Sequence, residues 1–386
     1  MAVDLSLYHN REQSYIKHQF LTKYLQAAAF KILQSRSPVF NFVDAFAGPW
    51  QVPEDPDYAG SSFDQAIKTL EAVRGYLEKN GKSGLRIRFC FCELRPSAVA
   101  KLREYAKRQS NFDISVFEGA FEDNLEAISA ALPDGFTFTF IDPKGWNIRN
   151  KEVFEFLKQQ KGEFLLNFMA DHINRHSGYE KVSESFGRFL ANPSWEAEFT
   201  ALLEGWSNER RVLHLLKQNM RSTGVAKFLP DFSILLPRED RLKMRLILGT
   251  HSPEGLFLFR DVQEKVELEE MELRGKVRKP ESPQADLFSD KDNAEIQQTN
   301  DGVGCKKFQQ LAETQIVELL GAKVYANFHE ISTAVMDSVP IRITQLKLLL
   351  REMKDRQVIT YSLEKPKRVP QPLTKIALYN IQAQPE

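Results

Sequence analysis

The sequence has no excess of either charge. Lys plus Arg and Asp plus Glu both number 52 among the 386 residues, so the formal net charge is zero. A chain without net charge has no overall field that attracts nucleic acid or an acidic membrane surface. Any contact of that kind must therefore come from a local patch.

Cysteines and long apolar runs are also scarce. The three cysteines, Cys90, Cys92 and Cys305, are too few for a disulfide framework or a zinc site. No stretch approaches the roughly 18 apolar residues of a membrane span, and the first residues, MAVDLSLYHNREQSY, contain no apolar core of a signal peptide. The sequence therefore predicts a soluble protein of a reducing cytoplasm, with no membrane partner.

The chain is long enough for two domains. A single hydrophobic core is usually complete within about 250–300 residues, and 42% of the 386 residues here are hydrophobic. Near residue 271 the composition changes, because Pro, Ser, Asp, Gln and Asn replace apolar residues up to about residue 307. We expect a first domain over residues 1–270, a flexible linker over 271–307 and a second domain over 308–386.

Three apolar runs in the first half lead to an acidic residue. Residues 39–44 end at Asp44 before the turn AFAGPW, residues 85–92 precede Glu93, and residues 136–141 precede Asp142 in the turn DPKGW. This pattern is typical of parallel strands that deliver a carboxylate to a ligand at the carboxyl edge of a sheet. Glu93 is the candidate for binding a ribose diol, with the alternative that it only opens a solvated loop.

Helical and strand patterns alternate through this half. A long amphipathic helix is expected over residues 12–35, and a capping box of Ser62 and Gln65 is expected to open a helix that reaches about residue 80. The other expected elements are helix 96–109, strand 114–117, helix 122–132, strand 164–169, a helical insertion over about 179–224, strands 232–236 and 244–248, and a helix after Pro253. The order predicts an α/β, Rossmann-like sheet of seven strands with an antiparallel last pair, as in class I methyltransferases.

Such a fold implies S-adenosylmethionine as the cofactor. Small residues in the turn after the first strand let main-chain N–H groups approach the cofactor carboxylate. The residues after the third strand, in FEGAF, are candidates for lining the adenine, although an ordinary β-to-α turn explains them equally well. The cofactor-binding candidates are Asp44, Phe46, Ala47, Gly48, Glu93, Ala120 and Phe121.

The DPKGW turn is the catalytic candidate. Amino-methyltransferases use a turn of Asp or Asn, two prolines and an aromatic residue, in which a side-chain oxygen and the next carbonyl accept hydrogen bonds from the amine. Asp142 and the Pro143 carbonyl are expected to do this, and Trp146 is expected to stack on a planar substrate. The turn differs from that pattern because Lys144 and Gly145 replace the second proline.

These residues together resemble the three-Cys-motif partner proteins, which are methyltransferase-like and occur beside radical-SAM-like three-Cys-motif proteins. The resemblance extends over most of residues 12–270, and some members carry a winged helix behind that domain. The family usually has glycine where this chain has Trp50, and a tryptophan there would crowd the methionine end of the cofactor. The resemblance rests on Lys17, DAFAGPW at 44–50, Gly60, Ser61, FIDPKGW at 140–146, LNFMADHINR at 166–175 and GTHSPEGL at 249–256.

Several polar residues have two interpretations. Lys17 is either a contact for the cofactor carboxylate or a solvated residue of the first helix. His172, Asn174 and Arg175 either line the mouth of the substrate site or form a helix-start network. His172 and His176 have the spacing of a helical metal pair, but no third ligand is evident, so no metal is predicted.

The last 79 residues predict a winged helix-turn-helix domain. Three helical patterns, over 308–320, 328–336 and 343–354, precede two strand patterns, over 358–362 and 374–379, around a basic, proline-rich turn. The third helix would present Thr344, Gln345, Lys347, Arg351 and Lys354, and the wing would present Lys365, Lys367 and Arg368. The nucleic-acid-binding candidates are Lys347, Arg351, Lys367 and Arg368.

The leading hypothesis is a S-adenosylmethionine-dependent methyltransferase that acts on an amino group of DNA or RNA, with the winged helix docking the substrate or a partner. The first alternative is a non-catalytic adaptor that pairs with a radical-SAM-like three-Cys-motif protein, motivated by Trp50 and the altered DPKGW turn. A DNA-binding regulator that senses the cofactor is the other alternative. Residues 308–386 contain ten Lys or Arg and eight Asp or Glu, so the charge of this domain does not separate DNA binding from protein binding.

Overall fold

The computed structural model describes residues 5–8, 11–48, 57–170, 183–278, 290–323, 325–363 and 367–379. The chain forms two compact units, Met1–Gly255 and Leu256–Glu386. The boundary therefore lies before the predicted position at residue 270. The helix that begins at Pro253 explains the difference, because it continues to Arg278 as part of the second unit.

A seven-stranded sheet forms the centre of the first unit. Its strand order is β3-β2-β1-β4-β5-β7-β6, in which β7 runs antiparallel to both β5 and β6 and the other pairs are parallel. This is the order and direction expected for a class I methyltransferase-like fold. The strands are β1 Val39–Asp44, β2 Arg86–Glu93, β3 Asp113–Glu118, β4 Phe136–Ile141, β5 Gly162–Phe168, β6 Asp231–Leu235 and β7 Leu242–Gly249.

Helices cover both faces of this sheet. Short 3₁₀ turns lie at Leu5–Tyr8 and Phe121–Asp123, and the second of these replaces the first turn of the helix predicted to begin at residue 122. The described α-helices of the first unit are α1 Glu12–Ser35, α2 Ser62–Lys79, α3 Pro96–Arg108, α4 Leu125–Ala131, α5 Asn150–Gln159, α6 Ser183–Leu190, α7 Trp195–Ala201 and α8 Asn208–Ser222.

The capping box predicted at the start of α2 is wrong. The N-cap is Ser61, and no side chain caps this end of the helix. The Ser62 hydroxyl donates instead to Asp44 Oδ2 over 2.6 Å, and the Gln65 amide donates to the Ala59 carbonyl. Tertiary partners have therefore replaced the local bonds that the sequence pattern predicts.

The two faces of the sheet have different partners. On one face, Val43 and Leu166 pack in a core with Phe189 and Trp195 of the helical insertion. On the other face, Phe138 of β4 lies beneath Tyr24 of α1, with 5.8 Å between ring centres. Because successive side chains of a strand alternate between faces, this pattern assigns every strand residue to the insertion side or to the α1 side.

The second unit combines helices with a small sheet. The sheet has three antiparallel strands in the order β8-β10-β9. The predicted helices and strand pair are present, with the short additional strand β8. The elements are α9 Pro253–Arg278, α10 Asp290–Asp301, α11 Lys306–Gly321, β8 Ala326–Asn327, α12 Phe328–Ser338, α13 Ile343–Asp355, β9 Ile359–Tyr361 and β10 Lys375–Leu378.

The flexible linker predicted over residues 271–307 is wrong where the structure describes it. The chain is helical up to Arg278 and again over Asp290–Asp301, and Ala294, Val303 and Cys305 are buried. Within this unit the Val303 N–H donates to Glu267 of α9 over 2.8 Å, and the Gln298 amide donates to the Glu264 carbonyl of the same helix. Composition does not reveal such long-range contacts, which explains why the polar residues suggested a linker.

Candidate functional site at the carboxyl edge of the sheet

The three predicted carboxylates lie on one face of the sheet. Asp44, the last residue of β1, is level with Phe91 of β2 and Phe140 of β4. Glu93 lies two residues after Phe91 at the end of β2, and Asp142 lies two residues after Phe140, just beyond the end of β4, so that the two flank the β1 turn. Residues two apart on a strand point to the same face, so all three carboxylates lie on the α1 side.

Asp44 shapes the turn that follows β1. Its Oδ1 accepts a 3.1 Å hydrogen bond from the Phe46 N–H, and its Oδ2 accepts the bond from Ser62. Burial raises the pKa of the fully buried Asp44 carboxyl, the two hydrogen bonds and the Lys17 charge oppose this, and the Asp142 carboxylate adds to it, so that the pKa is about 7. The carboxyl of Asp44 is therefore half ionised near neutral pH.

The main-chain N–H groups of this turn have partners inside the protein. The Ala47 N–H donates to the Cys92 carbonyl, and the Gly48 N–H donates to the Phe46 carbonyl, both over 2.8 Å. They are not the free donors that the sequence predicts for a ligand carboxylate. For Ala47 the reason is a hydrogen bond to β2 beyond Asp44, and for Gly48 it is a bond within the turn itself.

Glu93 closely approaches Gly48. A Cβ atom added to Gly48 would lie 2.5 Å from Glu93 Oε2, so any side chain at this position would displace the carboxylate. The other oxygen, Oε1, accepts bonds from the Arg95 N–H over 2.9 Å and from the Arg95 guanidinium over 3.1 Å. The turn after β1 therefore needs glycine so that the Glu93 carboxylate can lie against it.

The two candidates after β3 lie in different surroundings. Ala120 is half-buried, whereas Phe121 is buried and packs against Phe46 and Phe156, with ring centres 6.4 Å and 5.7 Å away. Phe121 therefore belongs to the core of the insertion side. The adenine-lining role of both residues stays a prediction.

Asp142 lies in a network with a lysine and an asparagine. Its Oδ2 pairs with the Lys17 ammonium of α1, and its Oδ1 accepts a 2.6 Å bond from Asn167 Nδ2 of β5. Burial raises the pKa of Asp142, but the Lys17 charge and both hydrogen bonds outweigh burial and leave the pKa below its usual value. Lys17 is buried, so its interpretation as a solvated helix residue is wrong.

The rest of the DPKGW turn makes internal contacts. The Pro143 carbonyl accepts a 3.1 Å bond from the Gly145 N–H, and Gly145 has a positive φ of 97° that favours glycine. The indole of Trp146 packs edge-on against Phe186 and lies 6.2 Å from the Phe189 ring. The predicted stacking of Trp146 on a substrate therefore has to compete with an aromatic cluster of the protein.

A buried histidine follows Lys17 in α1. The Tyr8 hydroxyl lies 2.7 Å from His18 Nδ1 and donates to the Gly60 carbonyl over 2.9 Å. Burial, and then the Lys17 charge, lower the pKa of His18 to about 3, so its ring is neutral at physiological pH.

Sequence reasoning did not assign roles to His18, Tyr8 and Asn167. His18 and Tyr8 lie in or before the leading helix, where no local pattern distinguishes them from other polar residues. The position of Asn167 could have been predicted. It is a polar residue near the end of the apolar run that forms β5, and β5 pairs with β4, which precedes Asp142.

Some predicted residues lie outside the described part of the chain. These are Trp50, His172, Asn174, Arg175, His176 and Lys365. Among the residues that are described, no group of three His, Cys, Asp or Glu side chains is arranged to hold a metal ion. Within the same residues, no helix has the length and apolar character needed to cross a membrane.

The candidate nucleic-acid contacts lie in the second unit. Arg351, Lys367 and Arg368 are exposed. Lys347 is half-buried, and its ammonium lies 5.5 Å from the centre of the Phe328 ring. Their role in binding nucleic acid stays a prediction.

Two other residues predicted on that helix face have partners in the same unit. The Gln345 amide donates to Glu264 over 3.3 Å and to the Val303 carbonyl over 3.2 Å, so it faces α9. The Lys354 ammonium donates to the Tyr361 carbonyl over 2.7 Å. Gln345 is therefore directed towards α9, whereas Lys354 stays exposed.

No family model and no curated protein matches the chain. Solved structures similar to it include an O-methyltransferase from Bacillus cereus in complex with S-adenosylhomocysteine, with 14% identity over 60% of this chain and 80% of that chain and a TM-score of 0.31. The O-methyltransferase TomG from Streptomyces achromogenes, in complex with S-adenosylmethionine, has 10% identity over 60% of this chain and 80% of that chain, with a TM-score of 0.29. Loganic acid methyltransferase has 8% identity over 100% of this chain and 98% of that chain, with a TM-score of 0.30. At such low similarity the fold assignment rests on the strand order and directions of the chain itself.

Proposed function

We propose that this protein is a S-adenosylmethionine-dependent methyltransferase that acts on an amino group of nucleic acid. The observation that carries the proposal is the placement of Asp44, Glu93 and Asp142 on one face of the sheet at its carboxyl edge. In open α/β sheets, ligands bind at this edge, where the strand order reverses on either side of the first strand. Here β1 lies between β2 and β4, so the three carboxylates flank that reversal.

The residues at this edge fit an adenosyl cofactor. Glu93 Oε2 lies over Gly48, where a Cβ would fill the space, and a carboxylate in this place suits a ribose diol. Asp44 fixes the turn beneath it, and Ala120 follows the neighbouring strand. When bound, S-adenosylmethionine supplies a methyl group on a sulfonium, which is an electrophile.

Asp142 supports an amino acceptor. Its carboxylate is held ionised, and its side chain is 23% exposed, so it can accept a hydrogen bond from an N–H group of a substrate. A carboxylate with free lone pairs accepts such bonds in addition to those from Lys17 and Asn167. This interaction would orient the acceptor and stabilise positive charge that develops on its nitrogen.

The nucleic-acid part of the proposal depends on the second unit, which we propose to be a winged helix. The order of α11, β8, α12, α13, β9 and β10 supports this interpretation. The exposed Arg351 on α13, with Lys367 and Arg368 before β10, would contact phosphates. Arg356 at the end of α13 pairs with Glu313 and provides a matched control.

The experiment is a transfer assay with methyl-labelled S-adenosylmethionine and the full-length protein. DNA, RNA and protein are offered separately, and labelled nucleosides are identified after digestion. We expect label on an exocyclic amine and a loss of at least about 100-fold in Asp142→Ala. Arg351→Ala with Lys367→Ala should weaken nucleic-acid binding about tenfold, whereas Arg356→Ala should not. Label found only in protein, or on a hydroxyl, would contradict the proposed acceptor.

A second candidate is a non-catalytic adaptor for a radical-SAM-like three-Cys-motif protein, as the resemblance to the three-Cys-motif partner proteins implies. The engaged Pro143 carbonyl and the packing of Trp146 on Phe186 favour it, because both reduce what the DPKGW turn offers an amine. Co-purification with such a protein, together with no methyl transfer by the purified chain, would favour the adaptor. Transfer by the purified chain alone would exclude it.

A further inference from the structure

Two residues on the interior side of Asp142 contact its carboxylate. The Lys17 side chain is 9% exposed and the Asp142 side chain 23% exposed, so the carboxylate is the member of the pair that reaches outward. Asn167 is buried, and its amide approaches the other carboxylate oxygen. Both contacts come from the protein interior and leave lone pairs of the carboxylate available.

We propose that Lys17 is a positioning residue for methyl transfer, which fixes Asp142 as an oriented carboxylate that receives the acceptor amine. The inference rests on the proposed function and adds to it the residue that prepares the site. It differs from the contact between Lys17 and the cofactor carboxylate suggested by the sequence, because the lysine ammonium is bonded to Asp142.

Lys17 supplies the positive charge in contact with this carboxylate. The neighbouring His18 is neutral, because burial and then the Lys17 charge lower the pKa of its ring to about 3. Asn167 contributes a dipole without charge. Removing the lysine charge would therefore leave a largely buried carboxylate with a hydrogen bond from Asn167 but, among the described residues, without a cation in contact with it, and such a group takes up a proton more readily.

The orientation of Asn167 follows from the same carboxylate. Its Nδ2 must face Asp142, since the carbonyl oxygen would be repelled there, and its Oδ1 has no hydrogen-bond partner within the described residues. An aspartate at this position would place a second negative charge beside Asp142. Asn167→Asp and Lys17→Met should therefore disturb Asp142 in the same direction by independent changes.

The test is a carbon-13 NMR titration of the full-length protein labelled at aspartate side-chain carboxyls. The Asp142 signal is identified by its disappearance in Asp142→Asn. In Lys17→Met we expect its titration to move up by at least about one pH unit, as loss of an adjacent opposite charge predicts. Lys17→Arg should retain most of the wild-type titration, and Lys31→Met, on an exposed position of the same helix, should leave it unchanged.

Catalysis provides a second measurement. In Lys17→Met the acid limb of the pH profile for kcat should move up with the Asp142 titration, while the affinity for S-adenosylmethionine stays within about threefold. If methionine prevents folding, Lys17→Gln removes the same charge and takes its place.

The outcomes separate the inference from the proposed function. An unchanged Asp142 titration in a folded Lys17→Met protein overturns the inference alone. A large loss of S-adenosylmethionine affinity with an unchanged kcat profile also overturns it, because Lys17 would then be a cofactor contact. A wild-type protein that does not bind S-adenosylmethionine overturns the proposed function, and the positioning role for Lys17 fails with it.

Discussion

The Ser62 hydroxyl donates a 2.6 Å hydrogen bond to Asp44 Oδ2 and so joins the first residue of α2 to the last residue of β1. The other Asp44 oxygen holds the Phe46 N–H, so one buried carboxyl fixes both the turn and the start of the next helix. This dual contact makes the protonation of Asp44 relevant to stability as well as to the candidate site.

We predict that Asp44 makes stability fall with rising pH. Its pKa in the folded protein is about 7, above the ordinary value of 3.8. Between those values the folded state keeps a proton that the unfolded state has lost, so the free energy of unfolding decreases as pH rises. In Asp44→Asn this pH dependence is absent. As the pH rises through that window, the free energy of unfolding of the variant, measured with urea, should therefore increase relative to that of the wild type by on the order of 1 kcal/mol per pH unit. A difference between the two proteins that does not change with pH would contradict the assignment.

We predict that Gly48→Ala is harmful although the added group is one methyl. The new Cβ would lie 2.5 Å from Glu93 Oε2, which is the end of a flexible side chain, so the carboxylate moves away at a small cost in stability. Titration calorimetry should show weaker cofactor binding, because the carboxylate has left its position, whereas urea unfolding should change little. Gly75→Ala is the control, because its Cβ would meet nothing within 4 Å in the interior of α2. That variant should be more stable by about 0.5–1 kcal/mol.

We predict a large cost for removing Arg260 in the second unit. This buried guanidinium donates to the Met336 and Asp337 carbonyls at the end of α12 and to Gln263. Arg260→Met would remove these three hydrogen bonds from a buried site, and the free energy of unfolding should fall by about 2–4 kcal/mol. The ion pair of the exposed Arg356 with the half-buried Glu313 provides the comparison, since Arg356→Met should change stability by less than about 0.5 kcal/mol. Equal effects of the two substitutions would rule out this role for Arg260.

Strands and their carboxyl ends were largely predictable from the sequence. The run 136–141 coincides with β4, and the acidic ends of β1 and β2 are where the patterns place them. Apolar runs of buried parallel strands are a local signal, and register then brings their ends together. The prediction that Asp44, Glu93 and Asp142 share one edge followed from topology alone.

Side-chain partners across the fold were not predictable in this way. Lys17 and Asp142 are 125 residues apart, and no local pattern links them. The same limit explains why the predicted capping box at Ser62 is wrong, because its hydroxyl bonds to Asp44 of a neighbouring strand. It also explains why α10 is predicted as part of a linker, because the burial of Ala294 in this polar helix has no local signal. In each case a tertiary contact decided the outcome.

Binding of S-adenosylmethionine, measured by titration calorimetry, tests the central claim most directly. Glu93→Gln should weaken binding by about 10-fold or more, because one of the two acceptors for the ribose diol becomes an N–H donor and the negative charge is lost. Glu118 pairs with Glu93 in the register of β2 and β3 but is exposed, so Glu118→Gln should bind as the wild type does. Absence of binding by the wild-type protein, or equal affinity in both variants, would contradict a cofactor site at this edge of the sheet.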